Sequence, residues 1–239
     1  MTGTILNIVT VLVGGALGLL FGARLPERVR STVVAGLGLF TAAIGFQMFT
    51  ESGNPIVVLG GLLLGGVLGE WLQIELALQN FGGWLERRFA GGTGEGGTSN
   101  RFIRGFLTAS LLFCVGPMTI LGSIQDGLTG DYSLLAIKSV LDGFAALAFA
   151  SSLGAGVLFS VIVILVYQGG LSLLAAQAQA LISVPMMAEM TAVGGVLLIG
   201  LAVSSLLEIK PIRVGNFLPA LVIAPLIVAI LAALGVQGP

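Results

Sequence analysis

Lys138 and Asp142 stand four residues apart inside the otherwise apolar stretch Tyr132–Ser151. On a helix that spacing puts both side chains on one face, close enough to pair. A carboxylate in hydrocarbon costs on the order of several kcal/mol unless it is paired or wetted. The two residues therefore read either as a self-neutralising structural pair or as a site for a solute or a proton. A second polar group runs Ser123-Ile124-Gln125-Asp126-Gly127-Leu128-Thr129-Gly130-Asp131. Its acids, amide and hydroxyls suit a cation or the mouth of a cavity, and the same residue types also make ordinary turns. Asn7, Gln47, Thr108 and Ser110 lie within apolar stretches and are read as further linings of that cavity.

Other chemistries are excluded early. The chain has one cysteine, Cys114, and no histidine, so an internal disulfide, the usual zinc and copper sites and histidine-held haem are ruled out. There is no acidic metal motif and no nucleophile elbow, and Cys114 reads as a small packing residue. No catalytic residue, metal or cofactor is expected, and the chain is not read as an enzyme.

The elements that hold these groups follow from composition. Of 239 residues 56% are apolar and 9% charged, against roughly a quarter charged in ordinary soluble domains. With a mean hydropathy of +1.08, the chain has too few charges to cover a soluble surface, and lipid must be its solvent. The net charge of −1 offers no basic face to nucleic acid. Spanning a core of about 30 Å takes about 20 helical residues. Eight such windows appear: Thr4–Ala23, Ser31–Thr50, Pro55–Leu72, Phe102–Gln125, Tyr132–Ser151, Leu153–Gln177, Ala188–Leu207 and Val214–Leu234. Lipid tolerates no open sheet edge, and alternating polarity is missing, so the fold class is an all-α polytopic transmembrane helix bundle. The first window lacks a positive leader and a cleavage site and is read as a retained span.

Arg24, Arg28 and Arg30, then Arg87, Arg88, Arg101 and Arg104, then Lys210 and Arg213 fall in alternate connections. The positive-inside rule places these in the cytoplasm and both termini outside. The segment Trp71–Phe89 reads either as an amphipathic helix in the cytoplasmic interface or as a polar extension of the third span. Residues 90–100 form a glycine-rich linker. It divides one integral membrane domain into a first helical unit, 1–89, and a second of five spans, 101–239. Residues Gly169–Met187 are read as a loop or a re-entrant pair.

Shifting the chain by 102 overlays Gly3, Val13 and Gly14 on Gly105, Val115 and Gly116, and a shift of 108 overlays Arg30-Ser31 on Lys138-Ser139. Three helices per unit would make this an inverted 3+3 repeat followed by two C-terminal helices. Gly116-Pro117 interrupts the fourth window, because proline removes a donor and clashes with the preceding turn. Carbonyls near Phe113 and Cys114 are then left needing partners, and Gly14-Gly15 is the counterpart in the first window. Pro219 and Pro225 are expected to kink the last. Glycine recurs every fourth residue at Gly14, Gly18 and Gly22 and again at Gly61, Gly65 and Gly69. These ridges permit close helix approach, within the chain or in a homo-oligomer. Glu70 and Glu208, near span ends, are read as solvated.

The opening Gly3-Thr4-Ile5-Leu6-Asn7, the glycine-rich first helix, the run Gly65-Gly66-Val67-Leu68-Gly69-Glu70 and above all Cys114-Val115-Gly116-Pro117-Met118-Thr119-Ile120-Leu121-Gly122-Ser123-Ile124-Gln125-Asp126-Gly127 resemble the YqgA/YdfK-like family of bacterial inner-membrane proteins. The resemblance implies a multi-spanning protein of a bacterial inner membrane and carries no substrate or catalytic residue with it. The function expected is a small secondary transporter or channel for a small solute or ion, with a non-catalytic scaffold as the alternative. Its expected pathway is Asn7, Gly14, Gly15, Cys114, Gly116, Pro117, Gln125, Asp126, Lys138 and Asp142, centred where the first and fourth windows meet.

Overall fold

The computed structural model describes residues 1–22, 26–89, 97–114 and 116–235, and at positions 27, 30, 89, 97–100 and 117 the backbone only. Arg24, Val115 and most of the glycine-rich linker lie outside the described residues. Every regular element described is helical: α1 Thr2–Gly22, α2 Glu27–Phe49, α3 Pro55–Leu72, α4 Ile74–Phe89, α5 Gly97–Cys114, α6 Pro117–Thr129, α7 Ser133–Leu153, α8 Ser160–Leu173, α9 Ala175–Leu181, α10 Val184–Leu201 and α11 Ala220–Ala233. Short 3₁₀ turns, Ala155–Phe159 and Val214–Phe217, precede α8 and α11, and a π-helical turn, Ala202–Leu206, extends α10. Seven helical stretches are long and apolar enough to cross a membrane, and the pair Arg101–Cys114 and Met118–Thr129, bent by 62°, makes an eighth if it is one span. The chain is an all-α polytopic membrane protein.

An added Cβ at Gly14, Gly18 or Gly22 would fall against the carbonyl oxygen of Gly143, Leu147 or Ser151, so α1 and α7 run parallel in register. α3 and α11 are antiparallel, with Gly61, Gly65 and Gly69 meeting Ala224, Ala220 and Asn216 in reverse order.

By packing the chain forms two compact units: Met1–Leu37 with Gln79–Gln179, and Gly38–Leu78 with Ala180–Pro239. This grouping differs from the sequential halves 1–89 and 101–239, because the ridges of α1 and α3 each find their partner beyond the linker. Of the two partners open to these ridges, the structure supplies the one within the chain. In the first unit α1 lies along α7 and against α8. In the second, α3 packs on α11, and Gly45 of α2 crosses Gly195 of α10 backbone to backbone.

Several local features depart from the sequence reading. α1 is continuous through Gly14-Gly15, which serve as a contact surface rather than a break. Gln73, in the left-handed region at φ 52°, ends α3 and makes α4 a separate helix with Trp84 and Phe81 exposed. Residues 169–187 hold the end of α8, the seven-residue α9 and the start of α10. Glu70 is not simply solvated: it takes bonds from Arg213 and Asn216, while Glu75 accepts from Gly215 N at 2.7 Å. Pro219 stands just before α11 and Pro225 inside it.

Backbone contact at the ridges leaves no space for a side chain. Gly18→Ala and Gly65→Ala should each lower stability by about 1–3 kcal/mol, read as a fall of several degrees in the melting temperature in detergent. Gly36, beside which an added Cβ meets nothing within 4 Å, is the control. Gly36→Ala should melt at or above the wild-type temperature, and equal behaviour of all three variants would contradict the packing account.

Candidate functional site

Three buried stripes converge in the first unit. Along α1 the buried residues are Gly3, Thr4, Asn7, Val11, Gly14, Gly15, Gly18 and Gly22, a helical face that is polar at one end and glycine at the other. α7 buries Leu135, Lys138, Ser139 and Asp142. α8 buries Ser160, Ile164, Gln168 and Ser172 at intervals of four. Because the glycine end of α1 presses directly on α7, its polar end is held over the polar positions of both neighbours.

The result is a continuous polar column. Lys138 donates to Asp142 Oδ2, forming the pair expected from their spacing. Asn7 Nδ2 donates to the same oxygen at 3.0 Å and to Gln168 Oε1 at 3.0 Å. Gln168 Nε2 in turn donates to Thr4 Oγ1 at 3.3 Å. At the start of α1, Asp126 Oδ2 accepts from Gly3 N at 3.2 Å and lies 3.0 Å from the Met1 amino group. A carboxylate there satisfies donors that the first helical turn leaves open and complements the positive end of the helix dipole. Asn7 and Gln168 are wholly buried, whereas the side chains of Lys138 and Asp142 retain 8% and 11% of their surface.

The column is not fully satisfied. Among the described residues the buried side-chain oxygens without a partner are Asn7 Oδ1, Thr108 Oγ1, Ser110 Oγ, Asp126 Oδ1 and Ser172 Oγ. All five belong to the first unit. Buried polar atoms are nearly always bonded, and each exception asks for an explanation. The second unit's buried acid, Glu189, is bonded through both oxygens, to Ser52 Oγ and to Asn54 N, each at 2.8 Å.

At the α5/α6 break, Pro117 removes one backbone donor as its position requires. The carbonyl left open is taken locally: Thr119 Oγ1 donates to Phe113 O at 3.2 Å. Cys114, the last residue of α5, is buried at this break. An added Cβ at Gly116 would meet no atom within 4 Å. The side chain of Pro117 lies outside the described residues.

Of the residues read from the sequence, Asn7, Lys138 and Asp142 are brought into direct contact. Asp126 sits at the end of α1 and joins the column through the first turn of that helix. Gly14 and Gly15 face Gly143 and Leu158, so they do not meet Gly116-Pro117 as a shared centre. Gln125 is exposed, and its carbonyl accepts from Thr129 Oγ1. Gln47 is exposed as well, while Thr108 and Ser110 are buried in α5. Asp131, outside the spans, accepts from the hydroxyl and the backbone N–H of Ser133 at the start of α7. Those bonds hold its carboxyl below the usual carboxylate range. Gln168, Thr4 and Glu189 were missed. The recurrence of Ser160, Gln168 and Ser172 on one face of an otherwise apolar helix was a usable signal for the first of these.

The family model described as "Protein of unknown function (DUF554)" matches residues 2–229. "Uncharacterized membrane protein YdfK" of Bacillus subtilis (strain 168) is 30% identical over 241 residues, covering 99% of this chain and 100% of that protein. "Uncharacterized protein YqgA" of Escherichia coli (strain K12) is 35% identical over 222 residues, covering 93% of this chain and 94% of that protein. No solved structure matches.

Gln168 joins the two halves of the column by accepting from Asn7 and donating to Thr4. Gln168→Leu should lower stability by about 1–3 kcal/mol, since it leaves a buried donor of Asn7 and the hydroxyl of Thr4 without that partner. An unchanged melting temperature in detergent would show that the amide chain is not formed.

Proposed function

The chain belongs to the family whose model it matches over nearly its whole length, and from that premise we propose that it is a small secondary transporter or channel of the bacterial inner membrane. Its pathway passes the column of Asp126, Thr4, Gln168, Asn7, Asp142 and Lys138. The observation that carries this reading is that the buried pair Lys138–Asp142 and, among the described residues, five unpartnered buried side-chain oxygens fall in one unit. Ionisable groups inside a membrane are costly, and those that persist there commonly mark solute or ion routes.

A non-catalytic scaffold is the second reading, and the glycine ridges were its main support. Since α7 and α11 cover both ridges, that support is weakened. The inverted repeat is not required by the proposal, because α1 runs unbroken where its register partner is interrupted. The cytoplasmic placement of the Arg- and Lys-bearing connections is retained as part of the proposal.

Asp142→Asn separates transport from scaffolding. The amide keeps the shape of the carboxylate but cannot carry its charge or take up a proton. In proteoliposomes challenged with a panel of small solutes and ions, the wild type should accelerate flux of one class. The variant should lose that flux while eluting as the same folded species. In a purely structural pair the substitution would strand Lys138 as a buried charge, a loss of about 3–5 kcal/mol, with no flux to remove.

A further inference from the structure

We infer that the column binds a small zwitterion, one ammonium and one carboxylate on the same solute, rather than an ion of either sign. This deepens the transport reading and rests on it for the route by which solute reaches the site. The first argument is charge balance. Each carboxylate of the column already has its own cation, Asp142 with Lys138 and Asp126 with the Met1 amino group. Adding a lone cation or a lone anion would leave a full uncompensated charge at membrane depth, which the low dielectric penalises heavily. A solute with no net charge avoids that penalty.

The second argument is the set of bonds left open. An ammonium has three donors, and Lys138 uses one of them on Asp142. Asp142 accepts both of its bonds on Oδ2, from Lys138 and Asn7, and none on Oδ1 among the described residues. Asn7 spends its amide hydrogens on Asp142 and Gln168, while its Oδ1 is buried and unpartnered. Open donors and open acceptors therefore stand together within about one helical turn. A metal cation would satisfy the oxygens and be repelled by Lys138. A halide would satisfy Lys138 and leave Asn7 Oδ1 stranded. An ammonium directed at Asn7 and Asp142, with its carboxylate directed at Lys138, satisfies both sets. The side chains of Lys138 and Asp142 keep a small exposed fraction, through which such a solute reaches them.

The test uses purified full-length protein in detergent and radiolabelled L-alanine as the probe. Binding should saturate and be displaced by glycine. Sodium chloride, methylammonium chloride, sodium acetate and glycerol, each supplying at most one part of the required chemistry, should not displace it at hundredfold excess. Asn7→Ala should weaken alanine binding about tenfold, the equivalent of one lost hydrogen bond to a charged group. The competition series on the wild type stands even if that variant folds poorly. Absence of saturable alanine binding overturns the inference, as does displacement by methylammonium, acetate or glycerol alone. Ion flux in proteoliposomes without alanine binding would overturn this inference and leave the transport reading standing. Alanine binding without flux of any solute would do the reverse.

Discussion

The close approach of α1 to α7, glycine against carbonyl at Gly14, Gly18 and Gly22, is the constraint on which the first unit depends. In lipid there is no hydrophobic gain in joining two apolar helices, so association relies on van der Waals contact and on polar bonds between spans. The glycine ridge supplies the contact. Having fixed the separation and register of the two helices, it also places Asn7 within bonding distance of Asp142 and Gln168. A wider spacing would leave Lys138 and Asp142 paired only with each other and would cost Asn7 its bond to Asp142.

The two units treat buried polarity differently. In the second, Glu189 is matched at both oxygens by the turn that precedes α3, and Asn54 of that turn caps α3 by accepting from Ile56 N. Near the other end of α3, Glu70, Glu75, Arg213 and Asn216 bond one another around Gly69 and Gly215. These clusters secure helix ends. The first unit instead carries polar groups along its spans and leaves five buried oxygens open. A packing role accounts for the Lys138–Asp142 pair taken alone, but not for the open oxygens that the described residues carry on four further helices.

Much of this was legible in the sequence, and the shortfalls have physical causes. The apolar helices of a polytopic bundle followed from hydrophobic length, and the spacing of Lys138 and Asp142 foretold their pairing. The interruption at Gly116-Pro117 followed from the missing proline donor. Gly14-Gly15 misled because glycine both weakens a helix and permits close contact, and only the neighbour decides which. The carbonyl of Phe113, read as needing a partner, finds it locally, because Thr119, two residues past the proline, supplies a hydroxyl. Gln168 escaped notice because a lone amide barely changes the hydropathy of a span. Its meaning appears only when α1 brings Thr4 and Asn7 opposite it.

The central claim is that the column can be reached by water and solute, and Cys114, the only cysteine in the chain, reports on it directly. In sealed vesicles holding the native protein, a water-soluble, membrane-impermeant thiol reagent should modify Cys114 at a measurable rate, and alanine should slow the reaction. A thiol that stays unmodified in the folded protein, yet reacts fully once the chain is unfolded in detergent, would contradict the account.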